Sequence, residues 1–136
     1  MTTTIPLRRL VLRGLLAVVL SLIGTVGLVW AVTDLGLVEA YGPLTVPPVV
    51  GLTILVCLAA TAVYGAFTRI WPRPDALFFR VAGIVLVVSW FPDLALLRHD
   101  PDATVGAVVV LMAMNAIVAG MCMVALTDRF SPVPAR

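Results

Sequence analysis

The sequence predicts an all-α, polytopic integral membrane protein with four transmembrane helices. Of the 136 residues, 62% are hydrophobic and only 12% are charged, and the mean hydropathy is +1.14. This composition leaves too little polar surface to cover a water-soluble globule of this size. The apolar residues also fall into four long runs separated by short polar stretches. We therefore expect a single transmembrane domain over residues 1–136.

Each apolar run is long enough for one helical crossing of a bilayer. The predicted spans cover about residues 10–32, 46–68, 76–97 and 103–126. Each run has about the 20 residues that a helix needs to cross a hydrocarbon core about 30 Å thick. Transmembrane β-strands are excluded because they alternate in polarity over about 10 residues. The short loops favour antiparallel neighbours in an up-down-up-down bundle.

Prolines and aspartates mark the predicted helix ends. Pro47 and Pro48 fit the first turn of the second helix, where the missing N–H groups are harmless. Asp75 is expected to cap the third helix. Asp100 is expected to cap the fourth, with a proline at the first helical position. The last six or so residues, 131–136, are expected to be disordered.

The arginines predict the orientation. The chain has nine arginines and no lysine, and only Arg98 lies on the outer side of a four-span arrangement. The positive-inside rule then places both termini in the cytoplasm and the protein in the plasma membrane. Five of the seven acids fall at or near the outer face. The inner arginines are Arg8, Arg9, Arg13, Arg69, Arg73, Arg80, Arg129 and Arg136.

The N-terminal arginines and the apolar run after them also fit a secretory signal peptide. Val29-Trp30-Ala31 would then be a cleavage site. The run from Gly14 to Val32 is longer than the apolar region of a signal peptide, which has about 7–15 residues, and it is long enough to span. We therefore expect a transmembrane helix here.

Small residues predict which helix faces pack together, because membrane helices associate through close backbone approach. The expected partner of each face is another helix of the same chain, and a second copy is the alternative. The predicted faces are Gly14, Ala17, Ser21, Gly24 and Ala31 in the first helix; Gly51, Ala62, Gly65 and Ala66 in the second; Ala82, Leu86, Ser89 and Asp93 in the third; and Gly106, Ala113, Ala116 and Gly120 in the fourth.

The third span contains the most unusual stretch, from Ser89 to Asp93. Pro92 cannot donate a hydrogen bond to the carbonyl of Val88, so a kink or local unwinding is expected. Asp93 follows about one turn inside the outer end, and an intramembrane carboxylate is a functional candidate. Alternatively, Asp93 lies within reach of interfacial water, accepts a hydrogen bond or pairs with Arg98 or His99, and only fixes the end of the bundle.

Asn115 is the second candidate buried polar residue, near the middle of the fourth span. A side-chain amide at this depth needs an interhelical hydrogen bond, worth about 1 kcal/mol. It is expected to hold helices together, and the alternative is a polar contact in a ligand path. Ser89, on the same stripe as Asp93, is the third candidate.

Neither cysteine chemistry nor a metal site is expected. Cys57 and Cys122, counted inward from the outer helix ends, differ in depth by about 12 Å, which is too far for a disulfide unless a helix is displaced. Both are expected to be inert apolar side chains. The outer polar residues could hold a divalent cation, but they lack ligand spacing, and most are explained as caps or loop residues. They are Asp34, Glu39, Asp93, His99, Asp100 and Asp102.

The sequence gives no support for an enzyme or a cofactor. No P-loop, nucleophile elbow or zinc-protease motif occurs, and no span contains a histidine for haem ligation. The first span has no ionisable residue between Arg13 and Asp34, unlike small four-helix antiporters that rely on a carboxylate there. No extended basic face is present, so nucleic acid is not an expected partner.

Three stretches of the chain form a distinctive combination. They are the Thr-rich start with Pro6-Leu7-Arg8-Arg9, the Arg69/Trp71 junction, and the third span from Arg80-Val81-Ala82 to Ser89-Trp90-Phe91-Pro92-Asp93. In these stretches and in its layout the chain resembles an uncharacterised family of small four-helix membrane proteins of actinobacteria, a domain of unknown function. The resemblance covers nearly the whole chain and supplies no activity, substrate or site residue.

Two functions follow as hypotheses. The first is a non-enzymatic accessory or interaction component of the plasma membrane, with the lipid bilayer and a second copy or another membrane protein as partners. The alternative is a small transporter or channel, in oligomeric form or alone, with a polar outer vestibule near Asp93. A membrane enzyme is a distant third.

Overall fold

The computed structural model describes residues 4–134. It contains four long helices, α1 (Leu7–Asp34), α2 (Val46–Ile70), α3 (Pro74–His99) and α4 (Val105–Leu126), and a 3₁₀ turn at Gly42–Leu44. No β-strand occurs in this part of the chain. All four helices are long and apolar enough to cross a membrane. The predicted all-α class is confirmed, and the predicted spans match the helix bounds to within three residues.

Proline marks the start of α2 as predicted, whereas the predicted cap of α3 is wrong. Pro47 and Pro48 lie in the first turn of α2. Arg73 precedes α3, and Asp75 lies inside its first turn. The Asp75 carboxylate instead accepts a hydrogen bond of 2.7 Å from the Tyr64 hydroxyl, so it joins α2 to α3.

The predicted cap of α4 is also wrong, because Thr104 performs this role. Its hydroxyl accepts a hydrogen bond of 3.2 Å from the backbone N–H of Ala107. Asp100 accepts the backbone N–H of Asp102 at 3.0 Å, a local turn that aspartate forms readily. That turn lies between the acid and the helix, so α4 begins later than the Asp-Pro pattern indicates.

Two helices, α2 and α4, pack closely against α1. Gly14, Ala17 and Ser21 of α1 are buried as predicted. A Cβ placed on Gly24 would lie 2.6 Å from an isoleucine side chain of α4, so this glycine permits close approach. Ala31 is exposed, and the predicted face is therefore confirmed only as far as Gly24.

The small-residue face predicted for α4 is wrong. Gly106, Ala113 and Gly120 are exposed and Ala116 is half-buried. Small residues on α1 already allow the backbones to approach, so the contact face of α4 can carry larger side chains. In α2, Gly65 is buried, Ala66 is half-buried, and Gly51 and Ala62 are exposed. The buried face of α4 includes Ala107, Val110, Met114, Val118, Cys122 and Ala125.

The two cysteines touch, contrary to the prediction. The sulfur atoms of Cys57 and Cys122 lie 3.8 Å apart, and both thiols are free. The predicted difference in depth assumed that all helices begin in one plane at the outer end. α2 in fact begins deeper than α4, as its register against α1 shows.

Neighbouring residues of α1 give the size of this offset. Thr25 meets Thr53, with the hydroxyl oxygens 3.4 Å apart, and Thr53 is seven residues beyond the start of α2. Gly24 meets Ile117, which is twelve residues beyond the start of α4. The difference of about five residues corresponds to roughly 7 Å along a helix. This offset accounts for most of the error in depth.

Arg13 ties α1 to the C-terminal tail. Its side chain is 1% exposed, and its guanidinium donates to the carbonyls of Leu126 at 2.8 Å and Val133 at 2.7 and 2.9 Å. It also pairs with the Asp128 carboxylate at 2.8 Å. The expectation of disorder is therefore wrong for residues 131–134, while Ala135 and Arg136 lie outside the described residues. A buried guanidinium needs several acceptors, and the tail supplies them.

The third helix is the most exposed of the four. Only Pro74 and Phe78, near its start, are buried. α3 packs mainly on α4, where the Trp90 ring N–H donates to the carbonyl of Met112 at 3.2 Å, and it contacts α2 only sparsely. The four residues predicted to form its packing face are half-buried: Ala82, Leu86, Ser89 and Asp93.

Candidate ligand groove between the second and third helices

The sparse contact between α2 and α3 leaves a groove with a volume of about 670 Å³. Along α2 it extends from Pro48 to Val63, a distance of about 22 Å at 1.5 Å per residue. Side chains of α1 and α4, including Thr25 and Cys122, form its floor. The groove therefore follows much of the length of the bundle.

The walls of the groove are mostly apolar. Among residues 4–134, Asp93 is the only charged residue that lines it, and the polar groups around it are few. Apolar concavities of about 300–1,000 Å³ with a small number of placed polar groups are typical sites for lipophilic small molecules. The aliphatic walls include Leu52, Val56 and Val63 of α2 and Val81, Val85 and Leu86 of α3.

The two strongest sequence candidates, Asp93 and Asn115, meet at this groove. The Asn115 side-chain amide donates to Oδ2 of Asp93 at 2.8 Å, and both residues are half-buried. The bond joins α3 to α4 and satisfies polar groups that are costly to leave unpaired in an apolar environment. Asp93 therefore pairs with Asn115 rather than with Arg98 or His99. Its second carboxylate oxygen can accept a hydrogen bond from a ligand.

Ser89 and Pro92 line the same groove. The Ser89 hydroxyl donates to the carbonyl of Leu86 at 2.7 Å within α3. The helix continues without interruption through Pro92, so the expected local unwinding does not occur, and a kink stays a prediction. All four candidate residues from the sequence thus lie at one site.

Three of the acids predicted at the outer face, Glu39, Asp100 and Asp102, line a separate pocket of about 410 Å³. The Tyr41 hydroxyl donates to Oδ2 of Asp100 at 2.7 Å and links the loop between α1 and α2 to the loop between α3 and α4. This hydrogen bond, followed by partial burial and the negative charges nearby, raises the pKa of Tyr41 to about 12. Asp93 is not part of this pocket, but Pro43 lines both the pocket and the groove. Within residues 4–134, no three His, Cys, Asp or Glu side chains are placed to hold a metal ion.

Two features were not predicted from the sequence: the burial of Arg13 and the contact of Cys57 with Cys122. Each had a signal in the sequence. Arg13, Ala17 and Ser21 follow one another at intervals of four residues, so a helix places them on one face. Arg13 therefore lies on the same helix face as the small residues that were predicted to be buried. Likewise, Cys57 lies four residues after Thr53 on the packed face of α2.

Together these features define a small helical membrane protein whose bundle carries a lateral, mostly apolar groove with one carboxylate. A family model described as a family of unknown function (DUF6069) matches residues 5–132 and so includes all four helices. The chain belongs to this family, as the resemblance to a domain of unknown function indicates. Comparisons with curated proteins and with solved structures give no significant match.

Proposed function

We propose that this protein is a non-enzymatic accessory component of the plasma membrane that holds a lipophilic molecule in the groove between α2 and α3. The observation that carries the proposal is the groove itself, with its volume of about 670 Å³, apolar walls and single carboxylate. A component with only a packing role would gain more from closing the α2–α3 contact, because close packing is what associates helices in lipid.

The chemistry of the groove selects an amphiphile as its occupant. Its length of about 22 Å and its aliphatic walls suit an extended hydrocarbon chain. Asp93 supplies negative charge and an unused acceptor oxygen beside Asn115, so the complementary head group is an amine. Since Asp93 lies toward the C-terminal end of α3, the chain of the ligand would extend toward Phe78 near the start of that helix.

Photoaffinity labelling tests this proposal directly. Purified protein in lipid vesicles is exposed to a long-chain alkylamine that carries a photoactivatable group at the end of its chain, and the labelled peptides are identified by mass spectrometry. We expect labelling on the groove-facing residues of α2 and α3, and several-fold less labelling in Asp93→Asn. Glu39→Gln removes an exposed acid outside the groove and should label like the native protein.

Two results of that experiment would contradict amphiphile binding. One is equal labelling of the native protein and Asp93→Asn. The other is an Asp93→Asn variant that loses thermal stability without any change in labelling per folded molecule, because this result would make Asp93 purely structural.

The proposal also includes the orientation of the protein in the membrane. With both termini in the cytoplasm and four crossings in up-down-up-down order, eight arginines lie on the inner side and only Arg98 on the outer side, in agreement with the positive-inside rule. A GC-rich actinobacterial source fits the exclusive use of arginine.

Cysteine accessibility tests this orientation. A cysteine introduced within residues 69–75, in a Cys57→Ser/Cys122→Ser background, should react with a membrane-impermeant maleimide only after the cells are opened. Labelling from outside intact cells would reverse the proposed orientation.

A small transporter is the second candidate function. It is favoured by the position of Asp93 in a groove that adjoins the acidic outer pocket through Pro43. Reconstituted vesicles loaded with the alkylamine distinguish the two functions. Net movement that is lost in a fully folded Asp93→Asn variant supports transport, whereas binding without movement supports the accessory role. Chemical crosslinking in the same vesicles would show whether a second copy takes part.

A further inference from the structure

The centre of the bundle contains a pair of thiols that the proposed ligand binding does not use. The Cys122 thiol donates to the Cys57 sulfur at 3.8 Å, and the Cys57 thiol donates to the carbonyl of Ala17 at 3.7 Å. Cys57 is 0% exposed and Cys122 is 2% exposed. These are the only two cysteines of the chain, so the contact joins α2 to α4 at one defined point.

We propose that Cys57 and Cys122 are a redox-active dithiol, oxidised to an intramolecular disulfide by a lipophilic quinone. In this reaction one sulfur–sulfur bond forms and both S–H bonds break. The two electrons and two protons pass to the quinone, which becomes a hydroquinone. A dithiol reductant reverses the reaction. The proposal depends on the thiol pair and does not require the groove to bind an amine.

The distance between the two sulfur atoms allows a disulfide to form after a small movement of the helices. A disulfide brings the two sulfur atoms to about 2.0 Å, so they must approach by a little less than 2 Å. α2 and α4 contact each other sparsely, which leaves room for a small relative movement. The Ser21 hydroxyl lies beside the Cys57 sulfur and is the buried side-chain polar atom without a hydrogen-bond partner among the described residues. It can donate to the thiolate that forms as the bond is made.

The position of the pair selects the class of oxidant. A water-soluble oxidant cannot reach sulfur atoms that are almost completely buried inside an apolar bundle. Cys122 lines the floor of the groove between α2 and α3, however, and Cys57 lies directly behind it. A two-electron acceptor that dissolves in hydrocarbon and fits an apolar groove of about 670 Å³ therefore has a route to Cys122, and quinones have both properties.

The test uses the full chain in lipid vesicles. Reduced protein is incubated with a short-chain alkyl benzoquinone or, in parallel, with membrane-impermeant ferricyanide. Free thiols are then alkylated under denaturing conditions and counted by intact mass. We expect the quinone to remove both thiols from the monomer, with loss of two hydrogen atoms and no added mass. Dithiothreitol should restore both thiols, and ferricyanide should have little effect.

Variants that remove or relocate one cysteine test whether the reaction requires both members of the pair. Cys57→Ser should keep one free thiol after quinone treatment. Cys57→Ser combined with Ala62→Cys retains two cysteines, but the new one lies on the exposed face of α2, so it should not form the intramolecular disulfide. Three results would overturn the proposal: both native thiols stay free, the quinone remains attached to the protein, or the disulfide links two chains.

Discussion

The two halves of the bundle are built differently, and α1 and α3 show the contrast. In the most apolar stretch of α1, 28% of the residues are buried, whereas in that of α3 the share is 6%. α1 packs through small residues against two helices, with Gly14 and Gly24 at points of close approach. α3 packs mainly on α4, and hydrogen bonds from Trp90 to Met112 and from Asn115 to Asp93 join the two helices.

The contrast indicates that stability comes mainly from the half around α1, whereas the candidate binding site lies on the α3 side. The half around α1 is closed by van der Waals contact, which is the main source of helix association in lipid. The α3 side keeps an open groove, and the residues that could recognise a ligand lie there. Substitutions in the first half should therefore affect unfolding strongly, and those on the α3 side should affect it weakly.

The largest expected effect follows from removal of the Arg13 guanidinium. Arg13→Met leaves the Asp128 carboxylate and the carbonyls of Leu126 and Val133 without their donor. Breaking a buried ion pair from one side costs about 3–5 kcal/mol, and because Asp128 is 39% exposed we expect the lower end, about 3 kcal/mol. Unfolding by sodium dodecyl sulfate in mixed micelles measures this change. Arg8→Met removes an exposed arginine and should be nearly neutral, and equal effects of both changes would contradict the importance of the buried contact.

Glycine substitutions compare the two halves directly. A Cβ on Gly14 would lie 2.8 Å from both the methyl and the hydroxyl of Thr61, and one on Gly83 in α3 would meet nothing within 4 Å. Thr61 cannot easily rotate, because its hydroxyl donates to the carbonyl of Cys57 at 2.7 Å. Overpacking costs about 1–3 kcal/mol, offset in part by the higher helix propensity of alanine.

We therefore expect Gly14→Ala to lower the free energy of unfolding by roughly 1–2 kcal/mol. Gly83→Ala should leave it unchanged or raise it slightly. The same detergent unfolding measures both, and a larger loss in Gly83→Ala would invert the proposed contrast.

A smaller effect is expected where α3 meets α4. Trp90→Phe keeps an aromatic ring but loses the hydrogen bond to the Met112 carbonyl. Interhelical hydrogen bonds in membranes contribute about 0.6 kcal/mol on average, so the free energy of unfolding should fall by about that amount. Hydrogen exchange of α3 amides should increase while that of α1 does not. A change of several kcal/mol would show that α3 is held as firmly as α1.

The smallest expected effect is at the loops that join α1 to α2 and α3 to α4, and it depends on pH. The pKa of Tyr41 is raised from 10.0 to about 12 by its hydrogen bond to Asp100. Because the folded pKa lies above the unfolded value, this contact contributes to stability below pH 10 and is lost as the pH rises toward 12. Tyrosinate absorbance of Tyr64→Phe, which leaves Tyr41 as the only tyrosine, should show the raised pKa. In that background Asp100→Asn should lower it, and an unchanged pKa would disprove the role of Asp100.

The sequence was sufficient for the features that depend on local composition. Helix number and approximate bounds follow from hydropathy, and Asp93 and Asn115 stand out as polar residues inside apolar runs. Their pairing could not be predicted, since it depends on the register of α3 against α4. The contact of Cys57 and Cys122 was missed for a similar reason, because it depends on the register of α2 and α4 against α1. The groove was missed because it is an absence of contact between α2 and α3, which no local pattern records.

The contact between Arg13 and the tail has a consequence for biogenesis. The partners of this arginine are Leu126, Asp128 and Val133, so the first helix is completed by residues that are synthesised long after it. During translation, α1 can insert and meet α2, but its guanidinium has to stay near water until residues 126–133 leave the ribosome. The final packing of the first helix is therefore expected to follow synthesis of this segment, and a translation product stalled before residue 126 should keep Arg13 accessible.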